Sequence, residues 1–290
     1  MKQRRFLESF SSDLIPGCPV MVGCPLDLTA TYRAGCAHGP SAIRTASESI
    51  ESYSPLLDRD LLDSPFSDIG DIDLSAASLE LSLERIRRTL SQLLPRGSPP
   101  LCVGGEHTIT LPAVRAVKAL YPDLVIVHVD AHSDLRDHYE GSFVNNATVM
   151  RRIDDLMGPG RLIQIGVRAG TRAEFTWMRE VGSILQWDPL GERILLDRVG
   201  ERPVYLTLDL DVLDPSCFPG TGNPEPGGWF YDDFERLFLV LDRVRLVAAD
   251  VVELNPGLDP SEVSSITAAK IVRELLLILT ESGRRRGGGT

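Results

Sequence analysis

Leu124-Val125-Ile126-Val127-His128-Val129-Asp130-Ala131-His132-Ser133-Asp134 is the stretch whose reading decides the fold. The apolar run from Leu124 to Val129 has the composition of a strand buried on both faces, and it ends in an Asp-x-His-x-Asp triplet. Successive side chains of an extended segment alternate, so Asp130, His132 and Asp134 share a side and can converge on a metal ion. Such residues often only close a turn or cap the next helix, and short motifs match by chance. Two further strand ends argue for a site. Asp209-Leu210-Asp211 ends the apolar run Val204 to Leu208, and Glu106-His107 follows Pro100 to Val103 through Gly104 and Gly105.

Outward from that stretch, strands alternate with helices. Strands are expected at Pro19 to Gly23, Ser67 to Leu74, around Leu101, and at Leu124 to Val129, Leu162 to Val167, Ile184 to Gln186, Val204 to Leu208 and Leu246 to Val252. Pro40 suits the first turn of a helix running towards Tyr53. Further helices are expected at Ala77 to Leu94, Thr110 to Leu120, Ala147 to Leu156, Ala173 to Glu180, Asp232 to Leu241 and Ser261 to Leu279. The alternation predicts an α/β fold, three layers in αβα order around a central, mostly parallel sheet of about eight strands. Ligands of such sheets bind beyond the carboxyl ends of the strands, where every candidate residue sits. One domain is expected over residues 1–282, followed by a disordered Arg/Gly-rich tail at 283–290.

Composition narrows the function. A net charge of −11 over 290 residues argues against nucleic acid and anionic membrane as partners. Five cysteines, an odd number with no Cys-x-x-Cys pair, fit a reducing compartment. The basic start Met1-Lys2-Gln3-Arg4-Arg5 leads into Phe6-Leu7-Glu8-Ser9 rather than an apolar leader, and no apolar run has the length of a membrane span, so the expected location is the cytoplasm.

The candidate ligands are His107, Asp130, His132, Asp134, Asp209 and Asp211. Oxygen-rich ligation with two imidazoles and no thiolate favours Mn²⁺ over structural Zn²⁺. Four aspartates cannot all ionise side by side without counter-charge, which two divalent ions would supply. A two-metal site activates water against an electrophilic carbon, so the chemistry implied is hydrolysis.

These residues, Gly104-Gly105-Glu106-His107, Asp130 to Asp134 and Asp209-Leu210-Asp211-Val212-Leu213-Asp214-Pro215, resemble the ureohydrolases, the arginase and agmatinase family of binuclear manganese enzymes. The resemblance continues through Pro219-Gly220-Thr221-Gly222, Pro224-Glu225-Pro226-Gly227-Gly228 and Glu253-Leu254-Asn255-Pro256, and backwards to Gly35 through Arg44. It implies the arginase-like fold and two Mn²⁺. One ion would be held by His107, Asp130, Asp134 and Asp209, and the other by Asp130, His132, Asp209 and Asp211, with Asp130 and Asp209 shared. It implies Asp134 as the residue that orients the nucleophile and passes a proton to the departing amine, and Glu253 as the carboxylate that holds the guanidinium. Glu253, Asn146 and Glu225 are the expected substrate contacts. The resemblance also implies a homo-oligomer, trimeric or hexameric.

Within the family, Leu135 to Asn145 lacks a counterpart of the loop with which arginases read an α-amino acid, whereas Pro224 to Gly228 is similar to agmatinases. The expected reaction converts agmatine to putrescine and urea. Guanidinobutyrate, guanidinopropionate, guanidine, arginine and formiminoglutamate are the alternatives. Many family members carry a histidine where Asn146 stands, and an amide cannot relay protons as imidazole does. A third possibility is therefore a catalytically impaired metal-binding paralogue. His138 is a nearby substitute, though an exposed loop histidine is more commonly idle. His128 reads as a hydrogen-bonded core residue, His38 and Cys102 as packing residues, and Trp229 and Phe230 as support for the helix that follows.

Overall fold

In the computed structural model of the chain, residues 4–10, 14–75 and 77–287 are described. In chain order they form β1 (Val20–Cys24), α1 (Gly39–Ser47), β2 (Tyr53–Ser54), β3 (Arg59–Asp60), β4 (Ser67–Asp71) and α2 (Leu79–Leu93). Then come β5 (Pro100–Gly104), α3 (Thr110–Leu120), β6 (Val125–Val129), α4 (Val149–Met157), β7 (Leu162–Ile165) and α5 (Arg172–Val181). The remainder comprises β8 (Ile184–Leu185), α6 (Pro189–Val199), β9 (Pro203–Asp209), α7 (Tyr231–Leu241), β10 (Arg245–Val252) and α8 (Val263–Gly287).

The eight-stranded sheet runs β4-β1-β5-β10-β9-β6-β7-β8, and every paired neighbour is parallel. Helices cover both faces. Apolar side chains of α1, α6, α7 and α8 pack one face around Leu206, Val251 and Val127. Those of α2, α3, α4 and α5 pack the other around Val22, Ile126 and Val247. This explains the unbroken apolar runs, since β6 and β9 are buried at every position and have no solvated face to require alternation.

The topology gathers what the sequence separates. Strands β5, β10, β9 and β6 are consecutive across the middle of the sheet, and their carboxyl ends carry His107, Glu253, Asp209 and Asp130 respectively.

Four details differ from the sequence reading. Helix α1 stops at Ser47, because a run of turns from Thr45 to Ile50 replaces the helical ladder, and a small β2–β3 hairpin follows. Helix α6 was not expected. Its start is nevertheless written in the sequence as Asp188-Pro189, with the Asp188 side chain accepting from the Gly191 N–H at 2.8 Å. The third difference lies at the C-terminus, where α8 continues to Gly287 in place of an irregular tail from Gly283. Two of its arginines find acceptors: Arg284 donates to the Asp63 carbonyl at 2.7 Å and Arg285 to Glu281 at 3.3 Å. Residues 288–290 lie outside the described residues. Finally, the helix expected from Ala147 begins at Val149, because Asn146–Thr148 form one turn of 3₁₀ helix ahead of it. Among the described residues, no helix is long and apolar enough to cross a membrane.

Candidate metal centre

Each arm of the site is built by local backbone chemistry. After β5 the chain passes between neighbours so closely that a Cβ on Gly105 would lie 1.9 Å from the Leu26 carbonyl oxygen, so only glycine fits there. Buried Glu106 then ties this turn to the loop before α1, accepting from the Thr29 N–H at 2.6 Å and the Thr29 hydroxyl at 2.7 Å. His107 follows, fully buried.

After β6, the Asp130 carboxylate accepts the His132 N–H at 2.6 Å, which curls the triplet into a tight turn. Asp134 adopts φ 53°, a left-handed conformation in which its carbonyl accepts the N–H groups of Met150 and Arg151 at 3.0 and 3.1 Å, capping the first turn of α4. Glu174 braces this loop from α5, accepting from the Ser133 hydroxyl at 2.8 Å and the Leu135 N–H at 3.1 Å. At the end of β9 the Asp209 carboxylate accepts the Asp211 N–H at 2.9 Å, and Asp211 accepts the Ala131 N–H at 3.2 Å, which joins two arms directly.

The six residues expected as ligands meet at one place. His107 Nδ1 lies 3.2, 3.1 and 3.2 Å from carboxylate oxygens of Asp130, Asp134 and Asp209. His132 Nδ1 lies 2.7 Å from Asp211 and 3.7 Å from Asp130. Donor atoms of Asp130, His132 and Asp211 fall within 4.8 Å of one another, as do those of His107, His128, Asp130 and Asp134.

Whether this set suits a metal is decided at His107. Its Nε2 is 2.9 Å from the Thr207 hydroxyl, which itself donates to Asp250 at 2.7 Å, so the hydroxyl oxygen accepts the Nε2 proton. In the neutral ring Nδ1 therefore directs a lone pair at three carboxylates, and it makes no properly directed hydrogen bond to any of them. Lone pairs converging from four groups need a cation between them. A divalent metal fits that donor set.

The metal-free electrostatics follow from the same crowding. Burial, then the charge of Asp130, pushes Asp134 up to about 7. Burial and the charges of Asp211 and Asp130 hold Asp209 well above the usual carboxylate range, and burial with Asp130 raises Asp211. For His132, burial opposes the charged form but Asp211 and Asp130 outweigh it and bring the ring to about 12. At His107 the penalty of burial is likewise overcome by Asp130, Asp134 and Asp209.

The cluster floors a cavity of about 240 Å³. Glu253 lines it, buried and at φ 66°, with Oε1 accepting the His107 N–H at 2.8 Å and Oε2 accepting the Cys36 thiol at 3.1 Å. Burial pushes Glu253 up to about 8. Asn146 also reaches the wall, and its Oδ1 accepts the Ala147 N–H at 3.1 Å. Glu225 does not line the cavity. Its contribution is a main-chain carbonyl that accepts from Arg168 at 2.6 Å, because Arg168 gathers the carbonyls of Asp211, Val212 and Glu225 and clamps segment 224–228 to the β9 loop. His138 is exposed and is not part of the wall.

The family model described as Arginase family matches residues 19–278. The chain belongs to the arginase family. It is a hydrolase of that family, and the agmatinase of Bacillus anthracis is 41% identical to it over 264 residues, 89% of this chain and 90% of that protein. The guanidinobutyrase of Pseudomonas aeruginosa is 35% identical over 277 residues, 91% of this chain and 87% of that one. Among solved structures, the agmatine ureohydrolase of Thermoplasma volcanium superposes with a TM-score of 0.84 at 31% identity, covering 99% of this chain and 97% of that chain. The αβα sheet and the His/Asp cluster are thus set in an arginase-family frame. Within that frame the buried partners Cys36, Gln164, Thr207 and Asp250 belong to none of the ligand motifs in the sequence. The one visible signal was a polar residue interrupting an apolar strand, as in Leu162-Ile163-Gln164-Ile165.

Proposed function

We propose that this chain hydrolyses the guanidino group of a linear substrate at a binuclear manganese centre, with agmatine as the substrate and putrescine and urea as the products. The observation that carries the reading is the His107 Nδ1 lone pair facing Asp130, Asp134 and Asp209, with the Glu253 carboxylate in the same cavity. The similarity to agmatinases over most of the chain supports the choice of substrate.

His107, Asp130, Asp134 and Asp209 would hold one ion and Asp130, His132, Asp209 and Asp211 the other. The oxygen-rich donor set favours manganese. When bound, such a pair supplies acidification of a water molecule near neutral pH and neutralises the four aspartates.

The protein's own groups do the rest. Glu253 pairs with the planar guanidinium and fixes the carbon to be attacked, a charge-assisted contact that converts a collision into a positioned reaction. Asp134 accepts a proton from the attacking water and returns it to the chain nitrogen as the carbon–nitrogen bond breaks; the hydroxyl left on the carbon gives up the second proton to the departing amine, so urea leaves neutral and the amine as an ammonium ion. Asn146 can orient a group at the wall but cannot titrate, which leaves the proton traffic to Asp134.

A second reading, a guanidino acid such as guanidinobutyrate, is favoured by Arg136, which lines the cavity and stacks over Tyr139 at 4.6 Å. A guanidinium at that point attracts a carboxylate-ended substrate and repels an ammonium-ended one. The family resemblance further supports a trimer or hexamer working in the cytoplasm.

The test is urea release by Mn²⁺-loaded protein from agmatine, arginine, guanidinobutyrate, guanidinopropionate and guanidine, with formamide release from formiminoglutamate. Agmatine is expected to give the highest kcat/KM. Preference for guanidinobutyrate would favour the second reading, and no product from any of them would overturn both.

A further inference from the structure

His128 has donor atoms close enough to the cluster to count geometrically as a ligand, yet both of its ring nitrogens are already engaged. Nε2 lies 2.7 Å from Asp130 Oδ2, and Nδ1 lies 3.1 Å from Gln164 Nε2. The ring is fully buried, as is Gln164, its register partner on the neighbouring strand β7.

The direction of every bond in this line is determined by its neighbours. Gln164 Nε2 also lies 2.9 Å from the Ser133 carbonyl, which can only accept, so that end of the amide is the NH₂ group. Its oxygen accepts from the Ser183 hydroxyl at 3.2 Å, which fixes the same orientation from the other side. The second amide N–H therefore points at His128 Nδ1, which must present a lone pair. The single proton of the neutral ring is then on Nε2 and is donated to Asp130.

We propose that Gln164, acting through the tautomer it imposes on His128, is the positioning residue for the Asp130 carboxylate. This rests on the reading of Asp130 as the ligand shared by both ions. The Asp130 oxygens are each held by a separate donor, Oδ2 by the His128 ring at 2.7 Å and Oδ1 by the His132 N–H at 2.6 Å. A carboxylate that must serve two ions gains from being held at both oxygens before they arrive, because partners behind the ligands set orientation and basicity. A line of buried polar groups runs from Ser183, just before β8, through Gln164 on β7 to His128 on β6. Burial of that kind is costly unless each group is satisfied, as these are.

The test uses the full-length protein and manganese alone. Gln164→Glu is nearly isosteric but offers no N–H to Nδ1, so the ring is no longer held to the Nε2–H tautomer that serves Asp130. Gln164→Met makes the same point without burying a new charge, should the first variant fail to fold. His128→Gln places an amide N–H near the original Nε2 position and serves as the rescue. Metal retained after dialysis and Mn²⁺ affinity by chelator competition are measured, with thermal unfolding of the metal-free forms. Long-range ¹H–¹⁵N spectra of the metal-free wild type report the tautomer.

The expected result is an Nε2–H tautomer in the wild type, about tenfold or greater loss of affinity in Gln164→Glu or Gln164→Met, and affinity within about threefold of wild type in His128→Gln. The metal-free unfolding temperatures should not account for the loss. Wild-type affinity in both Gln164 variants, or an Nδ1–H tautomer, would overturn the proposal while leaving the metal centre standing. A wild-type protein that binds no manganese would overturn the reading of the centre itself.

Discussion

Asp134 and Glu253 share an uncommon trait: both hold a left-handed backbone without being glycine, at φ 53° and φ 66°. Such conformations cost roughly 1 kcal/mol or more and persist where neighbours fix them. At Asp134 the carbonyl caps α4, and at Glu253 the N–H is taken by the Gly105 carbonyl at 2.9 Å, so each side chain is turned into the cavity by a bond its own backbone makes. Aspartates and histidines at strand ends were legible because alternation places them on one side. The partners of these residues were not, since Cys36 meets Glu253 across 217 positions of sequence and nothing local announces it. That contact carries a prediction. Burial and the neighbouring Glu253 charge push the Cys36 thiol up, so it stays protonated and donates. Cys36→Ala should free one Glu253 oxygen and raise KM for the guanidino substrate about fivefold, the order of a hydrogen bond worth ~1 kcal/mol. Cys36→Ser, which keeps the donor, should stay within about twofold. Equal steady-state constants in wild type and Cys36→Ala would show that the thiol merely fills space.

At the scale of elements, β-strands are legible because burial on both faces makes them continuous apolar runs, and α6 is not because it carries a weaker apolar stripe and a glycine near its start. Gly191 is there for space, since a Cβ would lie 1.9 Å from the Gln186 carbonyl oxygen. What docks α1 on the sheet was also only half legible. The sequence showed Arg44 in the helix after Pro40; the fold buries it completely, with its guanidinium forked onto Asp68 at 2.8 and 2.9 Å and reaching Asp71 at 2.5 Å. Asp68 is itself fully buried and lies on β4, the edge strand beside β1. Removing one member of a buried pair costs about 3–5 kcal/mol, and without Arg44 the Asp68 carboxylate keeps only the part-exposed Arg5 at 3.8 Å and the Phe6 and Gly70 N–H groups as partners. Arg44→Met is therefore expected to lower the unfolding temperature by on the order of 10 °C in calorimetry, whereas an isolated exposed pair such as Arg4–Glu48 should be nearly silent when broken. A loss for Arg44→Met no larger than for Arg4→Met would mean that α1 is docked by its apolar face alone.

For the molecule as a whole, the fold concentrates carboxylates that the unfolded chain keeps apart, and this couples stability to pH and metal. In the metal-free protein Asp134 titrates near 7 and Glu253 near 8, against ordinary values of 3.8 and 4.5. Between those limits the folded chain holds protons that the unfolded chain has released, so stability falls as pH rises. His132 acts in the same sense: its ring is raised from 6.5 to about 12, so the stability it contributes is present below 6.5 and is lost as pH rises towards 12. All three groups therefore make the stripped protein weaker at pH 8 than at pH 6. Metal binding reverses the sign, because the ligands must shed those protons to coordinate, and the ions then bind more tightly as pH rises. Chelator-stripped protein is expected to lose several degrees of unfolding temperature between pH 6 and pH 8, and Mn²⁺-loaded protein to hold or gain over the same interval. The separation between the two curves should thus widen with pH in scanning calorimetry at fixed free metal. Parallel curves would mean that the protons taken up on folding the site are not those displaced by the ions, and would break the link between carboxylate crowding and metal binding.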